Sequence, residues 1–458
     1  MESKKENDFD LLNKGIGKFR LVKKKVLIPE MNRISSRLVA AVFRGFGIQA
    51  EVLASYQGLD LGKEYTSGKE CFPCQVTMGD ILFFVNQEKK KLGAAFDPGN
   101  YIYFLPESDG PCRFGMYNKY QRLVLDSFPG LAGLKIVSLT TNDGYSLKGL
   151  IELDRVRDFR KATYFSVVVA DILDRLLWRI RPYEKETGIT NEFIERSLME
   201  MEATVEKYSP TKEFGKILDK LEEVIEHGKT LLDRKAATKP LIGIVGEIFL
   251  RMHTHANQDL IRNLEKLGAE VVNASLAEWI NFISYESLQK AKNRFRLNLK
   301  QLNFFAAIDY FKDIISFGGD LFYQQFWQKK VYKRILHLVD LIEDHKVAHL
   351  EAVLKKDNMY SFQMDTEACL SIATLIECAR SGYNGMVNVF PFTCMPSMTT
   401  SAIVKPLMKK KRIPYLDVSY DSSIQPAREA TIRTFMYQAQ RHFERYGNKR
   451  STQGQEKI

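Results

Sequence analysis

The sequence predicts an α/β protein of two doubly wound (Rossmann- or flavodoxin-like) domains with long helical insertions. Two observations predict it. Residues 26–28 and residues 241–245 are short, β-branched apolar runs, and each is followed by a helical segment, a glycine and a second apolar run. This order is typical of a βαβ unit. The phrases GIQAEVL and GAEVV, which close the two units, resemble each other, so an internal duplication is a further expectation.

The same patterns divide the chain into five segments. They are an N-terminal extension (1–21), the first α/β domain (22–155), a helical segment (156–237), the second α/β domain (238–440) with a helical insertion at about 276–354, and a polar tail (441–458). In the helical segment, Ile217, Leu221 and Val224 recur at helical spacing and predict one apolar face over residues 214–234. In the second domain, strands are predicted at 386–390 and 413–418.

Composition and charge narrow the function classes. The chain has 458 residues, with 67 Lys and Arg against 56 Asp and Glu, a net charge of +11. This balance permits anionic partners, but the basic residues are spread out rather than gathered in the stripe of a nucleic-acid-binding protein, so nucleic acid is not an expected partner. The N-terminus lacks the apolar core of a signal peptide, and no apolar run approaches the roughly 18–20 residues of a membrane span. We expect a cytoplasmic protein without a membrane partner.

Four of the six cysteines lie in segments bounded by Gly or Pro. Cys71 and Cys74 form a CxxC pair at the start of a predicted helix, where the helix dipole favours thiolate. Cys112 lies in the turn-like stretch at 109–115. Cys394 lies just after the predicted strand at 386–390, and the carboxyl end of such a strand is where doubly wound proteins bind ligands. In a reducing compartment these cysteines are expected to remain unpaired.

Several chemistries suit these four cysteines. An iron–sulfur cluster accepts ligands from distant loops, and it is the first interpretation from spacing. A structural zinc site, a redox dithiol at Cys71 and Cys74, and simple packing are the alternatives. Cys369 and Cys378 share a predicted helix rich in Ala, Leu and Ile, so we expect them to pack in the core.

Glu247, Arg251 and His253, which follow the strand predicted at 241–245, are weaker catalytic candidates. Glu247 and Arg251 either pair as charges at a helix start or hold a polar substrate. His253, together with His255, is expected to be an exposed loop histidine, with acid–base or metal chemistry as the alternative. The sequence contains no GxxxxGK[ST] phosphate-binding loop, so ATP hydrolysis by this chain is not expected.

Five stretches together resemble a known family. They are TSGKECFPCQVTMGD (66–80), DGPCRFGMYNKYQRL (109–123), VGEIFLRMHTHAN (245–257), VNVFPFTCMPSMTT (387–400) and IPYLDVSYDSSIQPAREATIRTFMYQA (413–439). They resemble the iron–sulfur proteins related to 2-hydroxyacyl-CoA dehydratases, and more closely the dehydratase-like portion of the fused "CoA activase" proteins. The resemblance covers most of residues 25–440, with the motifs in the same order.

The resemblance implies a [4Fe-4S]-type cluster held between α/β domains by Cys71, Cys74, Cys112 and Cys394. In some relatives the cluster is a double-cubane, and a six-thiolate version of it would add Cys369 and Cys378. The resemblance also implies a partner: an ATP-hydrolysing activator of the actin-like ATPase class, which injects one low-potential electron. This chain lacks that ATPase region, so the activator would be a separate chain.

The leading hypothesis is therefore a cytoplasmic iron–sulfur redox protein that accepts low-potential electrons for a reductive or radical reaction. The first rival is an enzyme, a 2-hydroxyacyl-CoA dehydratase subunit (a lyase), which would bind acyl-CoA and remove water through a ketyl radical. The second rival is a zinc-stapled scaffold without catalytic activity. Homo- or hetero-oligomers are compatible with each of them.

Overall fold

The computed structural model describes residues 14–21, 23–108, 110–140, 145, 150–364 and 366–448. Within them the chain forms two parallel β-sheets, of five and four strands, surrounded by helices. This is the predicted α/β class with two doubly wound domains.

The first sheet is built from short strands joined by helices. Its strands are β1 (Ile16–Gly17), β2 (Lys25–Ile28), β3 (Ala50–Val52), β4 (Tyr101–Phe104) and β5 (Lys135–Val137). Its helices are α1 (Arg33–Gly45), α2 (Leu59–Glu64), α3 (Phe72–Leu92) and α4 (Tyr117–Asp126). The spatial order is β1-β5-β4-β2-β3, and every pairing is parallel; Val26, for example, pairs with Ala50 on one side and Ile102 on the other.

Three long helices then connect the two sheets. They are α5 (Leu153–Ile180), α6 (Ile189–Tyr208) and α7 (Phe214–Lys229). Ile217, Leu221 and Val224 are buried on one face of α7, as their spacing predicts. Helix α5 packs against both domains: Asp171 accepts hydrogen bonds from the backbone N–H groups of Leu276 and Ala277 at 3.0 and 2.8 Å.

The second sheet carries the larger helical additions. Its strands are β6 (Leu241–Gly246), β7 (Glu270–Asn273), β8 (Gly385–Pro391) and β9 (Tyr415–Tyr420). Its helices are α8 (Ile248–Met252), α9 (Leu260–Lys266), α10 (Leu276–Lys300), α11 (Phe304–Ile335), α12 (Val347–Asp357), α13 (Ala368–Arg380), α14 (Met395–Lys411) and α15 (Arg428–Tyr446). Short 3₁₀ turns lie at Gly93–Ala95, Pro98–Asn100, Arg113–Met116, Arg181–Tyr183 and Phe362–Met364.

The two domains share one strand order. Counted from β2 and from β6, the sheets run β5-β4-β2-β3 and β9-β8-β6-β7, so in each the first strand lies between the second and the third. Each sheet therefore has a switch point, between β2 and β4 and between β6 and β8, where doubly wound folds bind ligands. The shared order is what the predicted internal duplication would produce.

Several boundaries differ from the sequence predictions. The helical segment expected after β6 is two helices, α8 and α9, because residues 253–259 form a turn with Gln258 and Asp259 at positive φ. Residues 16 and 17 of the expected N-terminal extension form the edge strand β1. Helix α15 continues through the start of the expected polar tail to Tyr446. Residues 1–13 and 449–458 lie outside the described residues.

No helix in the described part of the chain combines the length and the apolar character that crossing a membrane requires.

Candidate functional site

A cavity of about 600 Å³ lies where the carboxyl ends of the two sheets face each other. The first domain contributes Pro29, which follows β2, and Leu105, which follows β4. The second domain contributes Glu247, which follows β6, and Cys394, which follows β8. Both switch points therefore open into the same cavity.

Three of the four predicted cysteine ligands line this cavity: Cys71, Cys112 and Cys394. Each is the residue that immediately precedes a helical segment. Cys71 precedes α3, Cys394 precedes α14, and Cys112 precedes the 3₁₀ turn Arg113–Met116, where the N–H of Phe114 lies 3.5 Å from its sulfur. Backbone N–H groups at a helix start favour negative charge on a nearby sulfur. The cavity therefore receives three thiols from three separate segments, each at the start of a helical segment.

The backbone around Cys71 is held in an uncommon conformation. Cys71 has φ +100° and ψ 145°, a region of backbone conformation that residues other than glycine rarely adopt. Pro73, in the first turn of α3, fixes the direction in which the helix leaves this corner. The strain is of the kind that persists where surrounding packing enforces it, and such positions cluster at functional sites.

Glu247 and Glu367 bring two carboxyl groups to the same cavity. Glu247 accepts hydrogen bonds from the N–H groups of Phe249 and Leu250, at 3.0 and 2.9 Å, and so caps α8. Gly246 makes this turn from β6 with φ +121°; a Cβ there would lie 2.0 Å from the oxygen of Val389. Burial raises the pKa of Glu247 to about 7 even against those two hydrogen bonds, and burial also raises the pKa of Glu367.

The same burial disfavours ionisation of the thiols. It raises the pKa of Cys71 to about 11 and that of Cys112 to about 12, and it raises the pKa of Cys394 further; the nearby carboxyl groups of Glu247 and Glu367 add to these shifts. Because thiolate is the metal-binding form, a cation bound here would displace protons.

Arg113 ties the three cysteine-bearing segments together. Its guanidinium donates to the backbone oxygens of Lys69, Thr393 and Phe392, at 2.7, 3.0 and 3.3 Å. Lys69 lies two residues before Cys71, Arg113 directly follows Cys112, and Thr393 directly precedes Cys394. One side chain therefore fixes the relative positions of the three thiols, and it does so across the two domains.

The other three cysteines are not among the described residues that line the cavity. Cys74 lies in the first turn of α3, fully buried, with its sulfur 3.9 Å from the amide nitrogen of Gln121. Cys369 and Cys378 lie in α13 and are buried in the apolar core, which confirms their predicted setting. The thiol of Cys369 donates to the oxygen of Thr366 at 2.8 Å. None of the six cysteines, all of which are described, forms a disulfide.

Arg251 and His253 are not among the described residues that line the cavity. Arg251 donates to the backbone oxygens of Gly246 and Ser275, at 3.4 and 3.1 Å, and so supports the turn that presents Glu247. The expectation that His253 is an exposed loop residue is wrong: it is 1% exposed because α8 folds the loop back against the first domain, whereas His255 is exposed as expected.

His253 belongs to a hydrogen-bond chain between the domains. Its Nδ1 accepts from the N–H of Ala256 at 3.0 Å, which places the ring proton on Nε2. Nε2 lies 2.8 Å from the hydroxyl of Ser55, and that hydroxyl donates to Asp80 at 2.7 Å. The direction of these bonds is opposite to that of a catalytic triad, since the histidine donates to the serine, so the chain is structural.

The spacing of the thiols bears on which metal they suit. A zinc ion bound by three sulfurs at about 2.3 Å would bring those sulfurs to roughly 3.8 Å of one another. Among the described residues, the one group of three Cys, His, Asp or Glu ligand atoms within 4.8 Å of one another is elsewhere, at His345, His349 and Glu377. At least one pair of cavity thiols is therefore more widely spaced. The three thiols therefore do not form a ready-made site for a single zinc ion, whereas a cluster that takes each thiolate on a different iron does not require such close sulfurs.

Three groups of polar residues described in this structure were not predicted from the sequence. Glu367 lies at the start of the helix that carries Cys369, and nothing near it in sequence indicates the cavity. Arg113 stands beside a predicted ligand, but its backbone partners lie up to 280 residues away in the chain. His345 and His349 are four residues apart, a spacing that could have been noticed, whereas Glu377 joins them only through packing of α12 against α13.

No model of a known protein family matches the sequence, and no curated protein matches it.

Proposed function

We propose that this chain is an iron–sulfur redox protein of the 2-hydroxyacyl-CoA dehydratase-related type, which accepts low-potential electrons from a separate ATP-hydrolysing activator. One observation carries the proposal: Cys71, Cys112 and Cys394, which are distant in sequence, all line one cavity between two α/β domains. Their order and settings are also those for which the sequence resembles that family.

The residues of this chain have distinct parts in the proposal. Cys71, Cys112 and Cys394 bind the cluster through their sulfurs, and Arg113 holds their segments in register. The long helices α3 and α14 direct backbone N–H groups toward the cavity, which favours a group of net negative charge. A bound cluster supplies one-electron redox chemistry, and its burial among apolar side chains favours a low potential.

Glu247 and Glu367 are suited to move a proton in step with an electron. Burial raises the pKa of Glu247 to about 7, so this carboxyl can both hold and release a proton near neutral pH. Both carboxyl groups lie on the cavity wall with the thiols, within reach of a substrate bound in the same space.

A second candidate function, dehydration of a 2-hydroxyacyl-CoA, is favoured by the remainder of the cavity. Beyond the thiols its wall is aromatic and aliphatic, formed by Phe104 and Phe159 with Tyr164, Trp279 and Ile283. A volume of about 600 Å³ is in the range of small-molecule sites. An acyl chain would fit there with its carbonyl toward the thiols. A thermal shift with an acyl-CoA, absent with free CoA, is the expected sign of this function.

The electron-accepting function is tested by mixing anaerobically purified protein with a candidate activator of the actin-like ATPase class, a reductant and ATP, and following the visible absorbance of the cluster. Bleaching should require both the activator and ATP. The Cys394→Ser variant serves as the control and should show no such band. Full reduction by a mild reductant alone, or ATP hydrolysis by this chain unaided, would contradict the proposal.

A further inference from the structure

A second group of metal-ligand side chains lies at the opposite end of α13 from the cavity. His345 precedes α12, His349 lies in its first turn, and Glu377 lies in the last turn of α13; their ligand atoms are all within 4.8 Å of one another. Glu377 is ten residues along α13 from Glu367 on the cavity wall, which is roughly 15 Å at 1.5 Å per residue. The group is therefore separate from the cysteines.

The contacts around Glu377 leave one of its oxygens directed at the histidines. Arg380 donates to Oε1 at 2.8 Å, while Oε2 lies 2.9 Å from Nε2 of His349. A bound cation would take Oε2 and the ring nitrogen in place of the proton that they now share. Arg380 would keep its bond to Oε1 and so hold the carboxylate in place, as supporting hydrogen bonds do around other metal ligands.

We propose that His345, His349 and Glu377 bind one divalent transition cation of the zinc class. Two imidazoles and one carboxylate form a ligand set that zinc uses when a fourth position is left to water. The side chain of His349 is 50% exposed, which gives that water access. Such an ion joins α12 to α13 and stabilises the packing of the helix whose other end carries Glu367.

Cobalt distinguishes this group from the thiols, because cobalt bound by thiolate has a strong near-ultraviolet charge-transfer band and cobalt bound by nitrogen and oxygen does not. Titration of the metal-free full chain with Co²⁺ should show one equivalent of cobalt bound by nitrogen and oxygen, without the charge-transfer band. His349→Ala should weaken the binding of this equivalent of cobalt at least tenfold and abolish the thermal stabilisation that bound cobalt gives. His337→Ala, at an exposed histidine outside the group, should change neither. Thiolate-type binding alone, or equal binding by His349→Ala, would overturn the proposal.

An independent observation concerns the outer face of α11. Large apolar side chains form a stripe along it, each at least half exposed: Phe304, Ile308, Phe311, Ile315, Phe322 and Phe326. Their spacing of three, four and seven residues places them on one face of the helix, away from the buried Leu321 and Gln324. Phe305, beside the stripe, is 88% exposed. Such a stripe is typical of a helix that packs against another helix.

The stripe is complementary to itself in the antiparallel direction. With a two-fold axis at Ile315, Phe304 lies opposite Phe326 of a second copy, and Ile308 lies opposite Phe322. Phe311 then lies opposite Gly318 and Gly319, where a Cβ would meet nothing closer than 3.9 Å at Gly318 and nothing within 4 Å at Gly319. A large side chain therefore faces an open notch. Lys312 is paired with Asp309 on the same helix at 2.8 Å, so its charge is compensated.

We infer that the occupant of this face is a second copy of the chain, joined through antiparallel α11 helices. At their observed exposures, and at about 200 Å² for each large side chain, the stripe alone offers about 700 Å² per protomer, and Phe305 adds about 180 Å². This is close to the roughly 800 Å² per partner of a standard stable interface. A two-fold axis also pairs the same patch on both copies, as closed dimers require.

The test measures the solution mass of the full chain by sedimentation at micromolar concentration. We expect twice 52.7 kDa for the wild type. Ile315→Asp should give a monomer with unchanged circular dichroism, while Leu123→Asp, at an exposed leucine outside the stripe, should remain a dimer. Ile315→Cys should form a disulfide between copies on mild oxidation, since Ile315 faces itself. A monomeric wild type, binding of its stripe to lipid vesicles instead, or a dimeric Ile315→Asp would overturn the inference.

Discussion

Arg113 of the first domain donates a hydrogen bond to the backbone oxygen of Thr393 in the second, over 3.0 Å. The two residues are the immediate chain neighbours of Cys112 and Cys394. The bond therefore sets the distance between a thiol of each domain, and it makes the candidate site dependent on how the domains are joined.

Replacement of Arg113 should loosen the site without removing a thiol. In Arg113→Ala, the backbone oxygens of Lys69, Phe392 and Thr393 lose their shared donor, which should lower stability by about 1–2 kcal/mol. Iron should be extracted by a chelator several-fold faster than from the wild type. Arg296→Ala, at an exposed arginine on α10, is the matched control. Equal extraction rates for the wild type and Arg113→Ala would contradict this role.

The four predicted cysteine ligands should not be equivalent. Ser in place of Cys71, Cys112 or Cys394 should deplete bound iron, because each of these thiols lines the cavity. Cys74→Ser should retain most of the iron, since the sulfur of Cys74 is directed toward Gln121 in the core. Iron and acid-labile sulfide per chain are the measurements.

Cys369→Ala is the control for this series, because Cys369 is buried in α13 and bonded to Thr366. It should leave the iron content nearly unchanged. If Cys74→Ser depletes iron as strongly as the cavity variants, the four-cysteine set predicted from the sequence is restored. If Cys369→Ala empties the site, the ligand set is instead that of a six-thiolate double-cubane, which includes the cysteines of α13.

The histidine between the domains predicts a pH dependence. Burial, together with the nearby His255, lowers the pKa of His253 from 6.5 to about 3. Between those values the unfolded chain takes up a proton that the folded protein does not, so the stability from His253 is complete above pH 6.5 and is lost as the pH falls toward 3. The thermal stability advantage of wild type over His253→Gln should shrink between pH 7 and pH 5, by about 1–2 kcal/mol.

Asp80, whose pKa burial raises to about 7, has the opposite pH dependence, but it is present in both proteins and largely cancels from the difference. His337→Gln changes an exposed histidine far from His253 in the chain and is the control. An advantage over His253→Gln that is the same at both pH values would show that His253 is not held neutral.

Close packing of α2 on α3 predicts a strong effect of a single methyl group. A Cβ at Gly79 would lie 2.2 Å from the backbone oxygen of Gly58, which cannot move independently of its helix. Gly79→Ala should therefore cost about 2 kcal/mol or more in the free energy of unfolding. Gly215→Ala, where a Cβ meets nothing within 4 Å, should be neutral or stabilising. Similar effects from both would argue against this packing.

The sequence predicted the α/β class because β2 and β6 are β-branched runs followed by amphipathic helices and glycines. It did not predict β4 and β5, which have four and three residues, too few to show a period. The split between α8 and α9 also escaped prediction, because it depends on positive φ at Gln258 and Asp259, residues that also occur within helices.

The sequence predicted only part of the candidate site, because only some of its residues are marked by their neighbours in sequence. Cys112 and Cys394 stand out locally, since Gly and Pro mark their turns. The separation of Cys74 from the cavity depends on its side-chain direction in α3, which CxxC spacing does not specify. The burial of His253 depends on contact with Ser55 of the other domain, 198 residues away in the chain. These features are products of tertiary packing.

We propose above that Cys71, Cys112 and Cys394 hold an iron–sulfur cluster between the two domains. The most direct measurement is the iron, acid-labile sulfide and zinc content of the anaerobically purified full chain, beside that of Cys394→Ser. We expect a brown wild-type protein that contains iron and sulfide in comparable amounts, and a colourless variant depleted of both. A colourless wild type holding stoichiometric zinc, or iron retained in full by Cys394→Ser, would contradict it.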